Sequence, residues 1–368
     1  MTQGILVLNS GSSSLKFGVF VAHDGDEEAW LTGSAKGIGR ANGSLSMRSS
    51  DGGIDIAQDH LMESQHDALQ RVADALASHL REPLAGVGHR VVHGGPHVRA
   101  HCELSADVKH ALREAAPFAP LHLPQSLALV DEAQRIFPSV PHFACFDTVF
   151  HRTMPERATR FALPPEYAER GVLRYGFHGL SYESIVNTLG AQLPSRVVIA
   201  HLGSGASLCA LKDGRSVDTS MGMTPTGGIP MATRSGDLDP GVLIHLLRHE
   251  SLDADALEAL VNRASGMKAL SASDDDMQAL LSRRARGDAD AALAIDVFCI
   301  AVRKTIGAYA ALLGGVDLIV FSGGIGEHAE PIRAQILDGL GFLHAEHRVI
   351  ATDEERQIAR HCRRMLAG

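Results

Sequence analysis

The chain has 368 residues, 45% hydrophobic and 21% charged, a balance that excludes a disordered protein and provides enough core for about two domains. Lys and Arg total 34 against 43 Asp and Glu, a net charge of -9, which excludes a general nucleic-acid binder but not a local basic site for phosphate. Five cysteines with no C-x-x-C pair exclude a disulfide framework and a structural zinc site and predict a reducing, cytoplasmic setting.

In chain order, Ile5-Leu6-Val7-Leu8 predicts a buried strand with no secretion signal ahead of it. Asn9-Ser10-Gly11-Ser12-Ser13-Ser14-Leu15-Lys16 follows as a small-residue turn, and Asp24-Gly25 as a hairpin. Backbone N–H groups there, the hydroxyls of Ser12 and Ser14 and the charge of Lys16 suit an anion. Leu61 to Leu80 carries helical spacing. Gly86 to Gly95 predicts a strand, so His89 and His93 would stand about 13 Å apart, too far for a zinc pair, and Arg90 is the better anion contact. His142 to Phe146 predicts a strand ending on Asp147, an acid placed to hold Mg²⁺ directly or through water. His178 lies in a glycine-flanked turn, Tyr175 to Gly179.

Val197 to Ala200 is a further strand. His201-Leu202-Gly203-Ser204-Gly205-Ala206-Ser207 and an Asp213-Gly214 hairpin follow it, echoing the N-terminal pattern with Gly11 on Gly203 and Ser12 on Ser204. Arg234 sits in the Gly- and Pro-rich loop Met223 to Asp237, where its planar donors can brace a phosphoryl group. Asp290 to Leu313 predicts a helix. Its most apolar stretch is too short to span a bilayer, so no membrane partner is expected. Leu318 to Phe321 is a strand leading into a third small-residue turn, Ser322 to Glu327, and a final amphipathic helix follows Asp353. Alternating strands and helices indicate an α/β protein. Each motif alone has a plainer reading: a hairpin turn, a surface arginine, a loop tie, a capping aspartate, a structural histidine. Three glycine-rich turns together favour phosphate or nucleotide binding. None completes a dinucleotide-binding G-x-G-x-x-G.

Taken together, Leu8 to Lys16, Gly88 to Gly95, Phe146 to His151, Arg174 to Gly179, Asp218 to Gly222, Thr233 to Asp237 and Gly323 to Glu327 resemble the acetate kinase family of carboxylate kinases. The resemblance implies two duplicated RNase H-like domains of the sugar kinase, heat-shock chaperone and actin superfamily, with an interdomain cleft. It places residues 1–150 plus 355–368 in an N-terminal domain and residues 151–354 in a nucleotide-binding domain, and it implies a homodimer.

It further implies reversible phosphoryl transfer from ATP to acetate, giving ADP and acetyl phosphate. Arg90 and Arg234 would orient the carboxylate and the phosphoryl oxygens, His178 would hydrogen-bond the same group, and Asp147 would sit near the metal or the carboxylate. Asn9 and Glu354 would hold Mg²⁺ or Mn²⁺. Val92, Leu121, Phe177 and Pro225 would line the methyl pocket. His201, Gly203, Ser204, Gly205, Gly323, Gly324, Ile325, Gly326 and His328 would take the nucleotide. The chain departs from the family pattern at Ser204 and His328, where Asn is usual, and at Leu123, Leu180 and Tyr182, where Asn, Thr and His are usual. A propionate or butyrate kinase, or a non-catalytic ATP-binding switch of the same superfamily, is the alternative.

Overall fold

The runs Ile5 to Leu8 and Val197 to Ala200 are fully buried and each organises one sheet. In a computed structural model of the protein, the described residues are 3–11, 14–39, 42–59, 62–80, 83–120 and 122–368. The chain divides into two compact units, Met1–Val149 with Asp353–Gly368, and Phe150–Thr352.

The first unit carries β1 (Ile5–Gly11), β2 (Ser14–His23), β3 (Asp26–Lys36), β4 (Ser44–Ser49), β5 (Asp55–Asp59), β6 (Gly86–Val91), β7 (Cys102–Glu103) and β8 (His142–Phe146), ordered β5-β4-β3-β2-β1-β6-β8-β7. The second carries β9 (Arg196–Leu202), β10 (Ala206–Lys212), β11 (Arg215–Thr219), β12 (Leu318–Ser322) and β13 (Glu346–Val349), ordered β11-β10-β9-β12-β13.

Duplication is visible in the pairing. On one side of β1 lie β2 and β3, antiparallel, and on the other β6 and β8, parallel. The same sequence of senses surrounds β9, with β10 and β11 on one side and β12 and β13 on the other. Both outer hairpins turn on an Asp-Gly pair with positive φ, 49° and 85° at Asp24-Gly25 and 50° and 76° at Asp213-Gly214, the geometry that matches strand twist. The inner hairpins differ. Gly11 still pairs with Ser14 in the ladder, whereas β9 stops at Leu202 and Gly203 belongs to the turn, so the two glycines are not equivalent.

Helices cover the sheets. The first spans Gln65–His79, shorter than the sequence pattern predicts, because Ser64 caps it by accepting from the Asp67 amide. Leu61 lies outside the described residues. Ala289–Leu313 starts on an Asp288 cap and stops at Gly314 with φ 71°. Glu354–Leu366, capped by Asp353, packs onto the first sheet through Ile358 and Cys362. A Cβ on Gly88 would lie 2.6 Å from Cys362 Sγ and 2.7 Å from Ile358 Cγ2, so only glycine lets this helix approach β6. Arg360 and Arg363 tie the same helix to Asp26 and Glu27 on β3. Ser322 to Glu327 is not a free turn: Gly323–His328 is the short helix that β12 runs into. Among the described residues no helix is long and apolar enough to cross a membrane.

Candidate active site

In the first unit, three strands and one helix bring four of the expected residues together. Arg90, near the end of β6, donates from Nε to Asp147 Oδ1 at 3.0 Å and from Nη2 to Oδ2 at 2.6 Å, just beyond the end of neighbouring β8. Its Nη1 donates to Asn9 Oδ1 on β1 at 3.2 Å. Asn9 Nδ2 in turn donates to Glu354 Oε2 at 3.0 Å and Glu355 Oε1 at 2.7 Å. Asp147 is 1% exposed and the Arg90 side chain 20% exposed. Burial alone would lower the Arg90 pKa, but Asp147, Glu354 and Glu355 outweigh it and hold the guanidinium firmly charged. The sequence reading missed Glu355, whose carboxyl is pushed up first by burial and then by Glu354 beside it.

His89 and His93 do not form a metal pair. The strand ends at Val91; His89 is buried and stacks on His142, with Nε2 and Nδ1 3.0 Å apart, while His93 Nδ1 accepts from the Gly95 amide at 2.7 Å. Val92 is buried. Lys16, on β2, pairs with Asn9 in the ladder and borders a surface groove together with Asp353, Glu355 and Arg356. Ser14 opens β2, with its hydroxyl close over Gly11. Ser12 and Leu121 lie outside the described residues.

The second unit gathers another set. His178 has left-handed backbone, φ 59°, at the start of the helix Gly179–Leu189, a strained conformation for a residue with a Cβ. Its Nδ1 lies 2.8 Å from Ser207 Oγ and its ring 4.6 Å from that of His201. A Cβ placed on Gly205 would be 3.5 Å from both His178 Nε2 and Arg234 Nη1, so the two nitrogens converge over the glycine. Arg234 also donates to the Pro225 carbonyl at 3.1 Å. Its loop is held by Asp237, which accepts from the Gly228 amide, and by the Ala232 amide, which donates to the Ser204 carbonyl. Phe177 is buried, and its carbonyl accepts from His151 Nε2 at 2.9 Å.

Next to this cluster, Gly203, Ser204, Gly324, Ile325 and His328 border one cavity of about 600 Å³, which Asp276 and Gln278 also line. These last two carried no motif legible in the sequence. Gly323 and Gly326 do not line the cavity. Gly323 has φ 74°, and a Cβ there would meet the Leu202 carbonyl oxygen at 2.7 Å; one on Gly326 would meet the backbone of Phe321 at 3.4 Å. Gly323 is a glycine of close packing, whereas a Cβ on Gly326 would make ordinary contact. His201 and Gly205 border the His178 side instead.

The family model of the acetokinase family matches residues 4–366. This chain belongs to the acetokinase family. It is 40% identical to the acetate kinase of Rhodopseudomonas palustris, covering all of both chains. Among solved structures it resembles the acetate kinase of Porphyromonas gingivalis (TM-score 0.86, 32% identity, 99% of this chain and 100% of the other). It also resembles a propionate kinase from Francisella tularensis (TM-score 0.89, 33% identity, 98% of each). A putative N-acetylmannosamine kinase of Listeria monocytogenes, 12% identical with a TM-score of 0.51 over 98% of this chain, shares the fold alone. The two α/β units thus have the fold of the acetate and propionate kinases named above.

As an acetokinase the chain is a phosphotransferase with a carboxyl group as acceptor, which uses ATP and ADP together with a divalent metal. The residues present fit such a metal. Glu354 and Glu355 offer hard carboxylate oxygens side by side, both accepting from Asn9 Nδ2, and the Glu354 charge that adds to burial in raising Glu355 is what a cation relieves. At the positions that depart from the family pattern, Leu123 and Leu180 are buried apolar residues, and fully buried Tyr182 reaches Ser207.

Proposed function

We propose that the protein is an acetate kinase, in which an acetate oxygen attacks the terminal phosphorus of ATP and the bond to the bridging oxygen breaks as ADP leaves. Such transfer depends on placement and charge neutralisation rather than on a covalent intermediate. Arg90 and Arg234 orient the acetate and balance charge on the equatorial phosphoryl oxygens, and His178 donates to the same group. Asp147 aligns the Arg90 guanidinium. The metal is Mg²⁺, or Mn²⁺ in its place; Asn9 and Glu354 would hold it, and it would supply neutralisation of the nucleotide phosphates. The unit Phe150–Thr352 takes the nucleotide at the cavity bordered by Ser204, Ile325 and His328. Val92, Phe177 and Pro225 surround the methyl group. The enzyme is cytoplasmic and works as a homodimer.

The observation that carries this reading is the convergence of His178 Nε2 and Arg234 Nη1 over Gly205, in a chain of this family. A second acceptor class is kept because the Francisella tularensis neighbour is a propionate kinase and one methylene is worth only about 1–3 kcal/mol of discrimination. Trapping acyl phosphate with hydroxylamine decides the matter. The protein is supplied with acetate, propionate or butyrate, and with ATP or pyrophosphate as donor. Hydroxamate from acetate and ATP at the highest kcat/KM is expected. Preference for a longer acid overturns the acceptor, preference for pyrophosphate overturns the donor, and nucleotide binding with no hydroxamate overturns the enzyme.

A further inference from the structure

Tyr182 stands one helical turn after His178, in the helix Gly179–Leu189. It is fully buried, and its hydroxyl lies 2.5 Å from Ser207 Oγ. Ser207, also fully buried on β10, lies 2.8 Å from His178 Nδ1. The polarity of this chain follows from elementary chemistry. Burial, and then Cys209 nearby, push the Tyr182 phenol well above its ordinary pKa, so the hydroxyl keeps its proton. A buried O–H needs an acceptor more than a phenol oxygen needs a donor, and Ser207 Oγ is the acceptor in reach. Tyr182 therefore donates to Ser207. The serine proton is then directed to its other neighbour, His178 Nδ1, which must accept. A neutral imidazole that accepts at Nδ1 carries its proton on Nε2.

Nε2 is the nitrogen that lies over Gly205 beside Arg234 Nη1. The His201 ring also lies against the imidazole. We propose that Tyr182 is a positioning residue that acts through Ser207 to hold His178 in the tautomer protonated at Nε2, ready to donate to the transferring phosphoryl group. The proposal rests on the reading of His178 given above, but the tautomer itself can be tested without turnover.

Long-range ¹H–¹⁵N spectra of labelled protein at about pH 8, above the ordinary imidazole range, report which nitrogen carries the proton. His178 is assigned by loss of its signals in His178→Asn. The native protein is expected to show the Nε2–H pattern at His178. Tyr182→Phe, which keeps the ring, and Ser207→Ala, which removes the relay, are both expected to shift it toward a mixture. Each should lower kcat about tenfold while the KM for acetate stays within about twofold, and the double variant should be no worse than Ser207→Ala. Tyr182→His, which returns an N–H donor, should restore the pattern and most of the rate. An Nδ1–H pattern in the native protein, an unchanged pattern in Tyr182→Phe, or additive losses in the double variant would overturn the relay. Absence of acyl phosphate from the native protein would overturn the kinase reading alone, and the spectra would still judge the tautomer.

Discussion

Arg90 and Asp147 meet through two parallel N–H to oxygen bonds, of 3.0 and 2.6 Å, between adjacent strands β6 and β8. The paired fork and carboxylate leave the guanidinium one remaining edge, and that edge faces Asn9. Geometry of this kind presents a charge at a set angle, which Lys cannot reproduce.

Because Asp147 is buried, removing its counter-charge affects folding as well as chemistry. Arg90→Ala is expected to destabilise the protein by about 3–5 kcal/mol and to abolish measurable turnover, read by urea unfolding and by the hydroxamate assay. Arg90→Lys should recover most of the stability and little of the turnover. A stable, active Arg90→Ala protein would remove this pair from the site.

Gly205→Ala separates space from stability. The added methyl would sit in ordinary van der Waals contact, 3.5 Å from Arg234 Nη1 and His178 Nε2, and would fill the room a phosphoryl oxygen needs. The unfolding midpoint should barely move while kcat/KM for acetate falls at least about tenfold. Equal activity would show that the space is not used.

Gly323→Ala should do the opposite. With φ at 74° and the Leu202 carbonyl 2.7 Å from the new Cβ, strain of about 1–3 kcal/mol is expected. Nucleotide affinity should fall with it, because the helix carrying Ile325 and His328 is displaced. Unfolding curves and nucleotide titration read the two effects, and an unperturbed midpoint would contradict the packing.

Stability should decline as pH falls from about 6.5 toward 4. Burial, partly offset by the hydrogen bond to Phe177, brings the His151 pKa down to about 4, and burial beside His361 brings His101 to about 2. The unfolded chain takes up protons at these rings near pH 6.5, where the folded chain does not, so the contribution is fully present above that pH and lost below it. For His151 alone the loss is on the order of 3 kcal/mol, at about 1.4 kcal/mol per unit. Urea midpoints measured between about pH 7.5 and 4.5 test this, and a flat profile would refute it.

Glu354→Gln should raise the half-saturating Mg²⁺ concentration at least about tenfold with modest change in the KM for acetate. Metal dependence identical to the native enzyme would place the cation elsewhere.

Much of the chemistry was legible in the sequence because it rests on local patterns. Ile5 to Leu8 and Val197 to Ala200 announced buried strands by their unbroken apolar runs, and the Asp-Gly pairs announced their hairpins, since few residues tolerate positive φ in succession. The packing role of Gly323 was not legible, because a glycine that admits a ligand and one that admits a neighbouring strand look the same in one dimension. Only the folded chain distinguishes them, by what a Cβ would strike.

The sequence by itself determined the α/β class, the repeated hairpin pattern and the set of residue types able to bind phosphate, because these follow from periodicity and turn chemistry between near neighbours. The tertiary structure decided which of those residues meet. The Asn9–Glu354 contact joins positions 345 residues apart, and the Tyr182–Ser207–His178 chain joins a helix to a strand of the neighbouring sheet. Contacts of such separation arise from sheet order and helix packing, which no local pattern encodes.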